Sequence, residues 1–184
     1  MKKFLWFLAF CAAGILFVWL GVFPLTLGGG TGNNGDSGIT GTETGTPGNS
    51  SSEYTVQHVH DGDTLFLKDA QGREIKVRLI GIDTPEVTDP VECYGPEARE
   101  YLRKLLPDGS KVIAEFDSDP YDQYDRALMY LWTSSGTFIN EKLVVDGYAD
   151  TLTIRPNTEY RDLLSKAKTS AKNSLKGMWA ACSY

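Results

Sequence analysis

Glu74-Ile75-Lys76-Val77-Arg78-Leu79-Ile80-Gly81-Ile82-Asp83-Thr84-Pro85-Glu86 opens as a strand and closes as a loop rich in oxygen donors. In its first half Ile75, Val77 and Leu79 fall on one face and Lys76 and Arg78 on the other, the period-2 alternation of a strand with one buried side. Such a strand needs neighbours. Upstream, residues 54–59 (YTVQHV) alternate in the same way, Asp61-Gly62 is a turn signal, residues 64–67 (TLFL) resume the strand, and a second turn falls at residues 69–72. The spacing predicts a three-stranded meander. Downstream, Gly95-Pro96-Glu97 opens a helix whose apolar positions Ala98, Tyr101, Leu102, Leu105 and Leu106 share a face, and Pro107 stops it. Residues 111–116 and 127–132 read as two more strands around a polar loop at 117–126. Residues 138–146 form a short helix ended by Gly147, and residues 159–175 a last amphipathic helix with Leu163, Leu164, Ala167, Ala171 and Leu175 inward. Five strands, with helices after the third and the fifth, predict a mainly β, α+β domain: an OB-type five-stranded β-barrel with three packed α-helices.

Toward the N-terminus the composition changes twice. Residues 28–53 are rich in Gly, Ser and Thr with Ile39 as the only large apolar group, and behave as a flexible tether spanning roughly 25–30 Å. Residues 4–27 are an uncharged apolar run preceded by Lys2 and Lys3, long enough for a helix to cross about 30 Å of hydrocarbon and longer than the core of a cleavable signal. Residues 1–27 are therefore expected to be an N-terminal transmembrane anchor, or a signal sequence if cleaved. The basic pair predicts an inside N-terminus, which leaves the folded domain, residues 54–184, outside the cell, either held at the cell membrane or secreted.

The average composition, 41% hydrophobic and 23% charged over 184 residues, excludes fibrous and wholly disordered classes. A net charge of −6 argues against a protein that holds nucleic acid by a broad basic surface. Three short stretches concentrate chemistry instead. His60-Asp61-Gly62-Asp63-Thr64 is by itself a hairpin turn, and an EF-hand loop starting at Asp61 fails because its twelfth position is Gly72. Asp83-Thr84-Pro85-Glu86 is by itself a solvated turn, but two acids three residues apart could place one carboxylate on a metal and keep the other for base chemistry, with Arg78 facing the same place. Asp122-Gln123-Tyr124-Asp125-Arg126 is by itself an exposed loop with a charge-paired arginine.

Taken together, Asp61-Gly62-Asp63-Thr64, the stretch from Arg78 to Glu86, Tyr94-Gly95-Pro96-Glu97-Ala98, Asp122 to Arg126, Asn140-Glu141-Lys142-Leu143-Val144 and Pro156-Asn157 resemble, in order and spacing, the staphylococcal nuclease-like (thermonuclease) family. The resemblance covers roughly residues 54–179. It implies an OB-type barrel and a Ca²⁺-dependent phosphodiesterase acting on DNA and RNA. Carried over by motif position, Asp63 and Asp83 hold Ca²⁺ with the Thr84 carbonyl, Glu86 is the general base, and Arg78 and Arg126 grip the scissile phosphate. Hard Ca²⁺ suits an all-oxygen donor set, and planar guanidinium groups match the charged phosphate oxygens. The chain departs from the pattern where Gln123 and Asp125 replace a basic residue and a glycine, and where Leu152 and Ile154 stand at positions of nucleotide-contacting tyrosines. Tyr124 is then the expected stacking partner for substrate, and binding is expected to be modest.

Outside the apolar span only Cys93 and Cys182 remain, and in an exported protein they suggest a disulfide, with two unpaired thiols as the alternative. A membrane-tethered or secreted monomeric nuclease is the leading reading. A non-catalytic nucleic-acid-binding or scaffolding domain of the same fold has no need of the Asp63, Asp83, Glu86, Arg78 and Arg126 set, and a stalked surface-interaction domain leaves that set unexplained.

Overall fold

The computed structural model describes Gly45, Pro47, Gly48 and residues 50–183, so the expected membrane span and most of the tether lie outside the described residues. Among the described residues seven strands and four helices follow one another: β1 (Ser52–Val59), β2 (Thr64–Lys68), β3 (Glu74–Leu79), β4 (Ile82–Asp83), α1 (Gly95–Leu105), β5 (Lys111–Tyr121), β6 (Ala127–Thr133), α2 (Ile139–Val145), β7 (Asp150–Thr151), α3 (Arg161–Asn173) and α4 (Met178–Ala181). Five of the strands close a barrel in the order β1-β2-β3-β6-β5, and β4 and β7 form a separate two-stranded sheet. The predicted meander is present as two antiparallel pairings, with Leu65 opposite Val77 and Phe66 opposite Lys76.

Alternation explains the burial. Val77 and Leu79 of β3 are buried with Leu65 and Leu67 of β2, while Lys76 stays exposed and Arg78 sits half-covered on the outer face. Strand β6 is buried on both faces: Tyr130 and Trp132, facing away from Met129 and Leu131, pack with Phe138 and Tyr160. Two polar residues of the motifs are structural. Asn140, fully buried, donates to the Ile80 carbonyl (2.8 Å) and accepts from the Leu131 N–H (3.1 Å), fastening α2 to the barrel. Asn157 exchanges the same pair of bonds with the Asp119 backbone (2.8 and 2.9 Å).

Several elements differ from the sequence reading. β5 continues to Tyr121 through Asp117-Ser118-Asp119-Pro120, residues that disfavour strands, because a register shift between Phe116 and Tyr121 releases the ladder and Asn157 satisfies the backbone there. The loop is therefore only residues 122–126. β4, β7 and α4 carry too few residues to show a period. Leu175, expected inward, is 66% exposed, since α3 ends at Asn173 and Leu175 has left-handed backbone (φ 48°). Two residues with the composition of the tether also touch the domain: the Gly45 carbonyl accepts from Trp132 Nε1 (2.7 Å), and the Gly48 N–H donates to Glu115 (2.7 Å).

Candidate active site

The β1–β2 hairpin aims the first carboxylate. Asp61 Oδ1 accepts from the N–H groups of Asp63 (3.2 Å) and Thr64 (2.7 Å), which folds the turn over Gly62, and Thr84 packs so closely on that glycine that a Cβ would meet its Oγ1 at 2.7 Å. Asp63 is consequently only 6% exposed. Its Oδ2 accepts from the Thr84 N–H (3.0 Å) and its Oδ1 from Thr64 Oγ1 (3.2 Å). The second carboxylate is placed by the small sheet: Asp83 pairs with Asp150, and the Leu152 N–H donates to the Gly81 carbonyl (3.0 Å). Asp83 thus stands at a strand position rather than in the turn its proline suggested, and its side chain remains open to solvent.

Arg78 joins them. Its Nη2 donates to Asp83 Oδ1 (2.8 Å) and its Nη1 lies against Asp63 Oδ2 as an ion pair, so one guanidinium spans both carboxylates. Nη1 is buried and makes no hydrogen bond of acceptable geometry. Burial pushes the Arg78 guanidinium below its ordinary value and Asp83 opposes the shift; arginine remains charged at neutral pH.

Arg126 is held from the other side. Asp122 Oδ1 accepts from the N–H groups of Tyr124 (2.9 Å) and Arg126 (3.0 Å), while Oδ2 accepts from Arg126 Nε (2.6 Å). Asp125 supplies the left-handed residue of this tight turn (φ 58°), a conformation Asp tolerates where most side chains do not. With Nε engaged, the two Nη groups have no partner among the described residues, and the guanidinium carbon lies 5.5 Å from the centre of the Tyr124 ring. Arg78 and Arg126 open into one cleft of about 490 Å³, whose walls include Tyr121, Tyr124, Leu152 and Ile154. Tyr124 is 70% exposed and Ile154 67%.

Burial alone would raise the Asp122 carboxyl; the bonds from Arg126 and Tyr124 outweigh it and hold the group below its ordinary value of 3.8. A depressed folded value means stability that is present above the unfolded value and lost as pH falls through the folded one. Asp122→Ala is expected to lower stability by about 1–2 kcal/mol at pH 7, the scale of charge-assisted hydrogen bonds at a partly exposed site. Melting curves of the variant and the wild type are expected to converge as the pH is taken down toward 3.

Glu86 stands apart. It is exposed, its backbone is fixed by Glu92, and its carboxylate makes no hydrogen bond or ion pair among the described residues. It does not line the arginine cleft. The structure therefore assembles Asp63, Asp83, Thr84 and Arg78 by direct contact, and Arg78, Arg126 and Tyr124 around one cleft. Cys93 and Cys182, 89 residues apart, are bonded with a Cα–Cα distance of 5.9 Å. The charge-paired arginine read in the 122–126 loop is present, with Asp122 as its partner at i,i+4; sequence reasoning missed Tyr121, which the extended β5 carries into the cleft.

As for a metal, no group of three or more His, Cys, Asp or Glu among the described residues is assembled as a ligand cage. The donor types present are nevertheless compatible with a hard cation: the carboxylates of Asp63 and Asp83 converge on one positive group, Arg78, and no His or Cys side chain is hydrogen-bonded to either among the described residues.

A family model described as staphylococcal nuclease homologue matches residues 76–181, from the middle of β3 to the end of α4. The chain is 37% identical over 149 residues to a thermonuclease of Staphylococcus intermedius, covering 79% of this chain and 85% of that protein. It is 37% identical over 130 residues to a thermonuclease of Staphylococcus hyicus, covering 69% and 75%. Endonuclease YhcR of Bacillus subtilis is 35% identical over 137 residues, 69% of this chain but 11% of that much longer protein. A closed five-stranded barrel, a cleft walled by Arg78 and Arg126, and a family match that takes in both arginines agree, and the chain belongs to the staphylococcal nuclease homologue family.

Proposed function

We propose that this nuclease hydrolyses phosphodiester bonds in DNA and RNA outside the cytoplasm, in a Ca²⁺-dependent reaction carried by Glu86, Arg78 and Arg126. The observation that supports it most is the placing of charge: Arg78 spans two carboxylates, and Arg126, locked at Nε by Asp122, presents free Nη donors to the same cleft. Asp63, Asp83 and the Thr84 carbonyl would hold Ca²⁺. Bound there, the ion would supply positive charge beside the scissile phosphate and lower the pKa of bound water.

The chain's own groups do the rest. Arg126, whose Nη groups have no partner among the described residues, and Arg78, which lines the same cleft, bring donors and positive charge to the phosphate oxygens, on which charge grows as water attacks. Glu86 accepts the proton that the water must lose, and an exposed carboxylate with no internal partner is free to take it. Tyr121 and Tyr124 offer faces for bases, each worth about 1–3 kcal/mol, beside Leu152 and Ile154. With 16 Lys+Arg against 21 Asp+Glu over residues 54–184, affinity rests on this cleft more than on a basic surface, and it is expected to fall only gently with salt. The apolar run at residues 4–27 and the tether support a domain held at the outer face of the membrane or, after cleavage, released into the medium, where it acts as a monomer.

The test is a labelled single-stranded oligonucleotide incubated with the purified protein and Ca²⁺. Shorter products are expected. A retarded but uncut band would instead favour a binding module.

A further inference from the structure

Glu86 is gripped by its backbone and left free at its side chain. Its N–H donates to Glu92 Oε2 (3.0 Å) and its carbonyl accepts from the Glu92 N–H (2.9 Å), so a single residue holds both sides of it. The start of α1 presses on the same point: a Cβ at Gly95 would overlap the Glu86 carbonyl oxygen, and the Gly95 N–H donates to the Glu92 carbonyl (3.1 Å). The intervening residues 87–91 therefore leave and return to one place. Glu92 is in turn covalently fixed through its neighbour. Cys93 is bonded to Cys182, which follows α4, and α4 is anchored by buried Met178, whose N–H donates to the Gly147 carbonyl (2.9 Å). Asp83, Thr84, Glu92, Cys93 and Cys182 line a common cleft of about 280 Å³, so the clamp adjoins the carboxylate site.

We propose that Glu92 is a positioning residue for Glu86 and that the Cys93–Cys182 bridge holds Glu92 in place, which makes hydrolysis sensitive to reduction of the bridge. The inference rests on the reading of Glu86 as the base. Reduction by an external dithiol delivers two electrons and two protons, breaks the S–S bond to two thiols, and leaves the dithiol as its own disulfide. The segment carrying Glu92 then loses its covalent tie to the residues after α4 and is held by the main chain and non-covalent contacts alone, and the Glu86 backbone loses part of its frame.

The test compares kcat and KM on single-stranded DNA with Ca²⁺ for the wild type, Glu92→Gln, Glu92→Ala and Glu86→Gln, each oxidised and after dithiothreitol, with circular dichroism melting to establish that each sample is folded. Glu92→Gln keeps a side-chain carbonyl that accepts from the Glu86 N–H and is expected to retain nearly the wild-type kcat. Glu92→Ala is expected to lose about 10- to 100-fold in kcat at unchanged KM, the scale that an ångström's misplacement of a reacting group carries. Reduction is expected to lower kcat of the wild type and to change Glu92→Ala little further, since both act through one clamp. Wild-type kcat in folded Glu92→Ala, or equal losses in the Gln and Ala variants, overturns the positioning role. Should Glu86→Gln itself stay fully active, the base reading fails and the inference with it; an inactive Glu86→Gln beside a fully active Glu92→Ala removes the positioning role alone.

Discussion

Glu86→Gln is expected to lower kcat by about 10²–10⁴-fold, the usual contribution of a general base, with KM nearly unchanged. Glutamine has the shape of glutamate and still accepts hydrogen bonds, but it cannot take up the proton that water releases as it attacks phosphorus. The expected selectivity follows from the geometry. Glu86 touches the rest of the domain through its peptide group, bonded to Glu92, and its carboxylate has no hydrogen-bond or ion-pair partner among the described residues. Removing the charge therefore breaks no internal contact, and the unfolding free energy from urea titration is expected to change by no more than the scatter of surface substitutions, about 0.5 kcal/mol. Single-turnover cleavage and equilibrium unfolding on the same preparation check both halves. A loss of activity accompanied by a large loss of stability would assign Glu86 a structural role instead.

Arg78→Met is expected to reduce activity and stability together, and to make stability respond to calcium. Arg78 neutralises Asp63, which is 6% exposed, and Asp83 at once. Removing one partner from a largely buried pair leaves an uncompensated carboxylate and typically costs about 3–5 kcal/mol. Loss of a preorganised donor to the phosphate lowers kcat by about 10²–10³-fold. Calcium is expected to raise the melting temperature of the variant more than that of the wild type, because the carboxylates no longer have an internal cation. Lysine at position 78 is expected to recover part of the stability and little of the rate, since one ammonium cannot reproduce a fork that reaches two carboxylates. Thermal melts in EGTA and in Ca²⁺, read beside initial rates, separate these effects; an Arg78→Met protein as stable as the wild type in EGTA would show that the ion pairs contribute nothing.

Much of this was legible in the sequence because it depends on local pattern. Ile75, Val77 and Leu79 announced β3, Asp61-Gly62 announced the hairpin, and the helical spacing of Ala98, Leu102 and Leu106 announced the buried stripe of α1. The motif positions were legible too: Asp63, Asp83, Thr84 and Arg78 meet, although they arise from a hairpin, a two-residue strand and a barrel strand. What stayed hidden depends on partners far along the chain. β4 exists because Asp150 and Thr151 pair with it, and the last turn of β5 exists because Asn157 satisfies the Asp119 backbone. Leu175 fits the stripe of α3 by spacing, yet the chain turns into left-handed backbone before it can face inward. Glu92 carried no signal at all. Its importance comes from a loop that closes on itself, and neither periodicity nor composition records such a closure.

Calcium dependence is tested most directly by the rate of single-stranded DNA cleavage by the intact protein as free Ca²⁺ is set with EGTA buffers, for the wild type and for Asp63→Asn. Asparagine at position 63 still accepts from the Thr84 N–H, but the anionic donor and its ion pair with Arg78 are lost, so circular dichroism first establishes that the variant is folded. The expected result is no cleavage in EGTA, a saturating rise with Ca²⁺ in the wild type, and a curve displaced to much higher Ca²⁺ in Asp63→Asn. Cleavage at full rate in EGTA, or identical calcium curves for the two proteins, would contradict a calcium site built on Asp63 and Asp83.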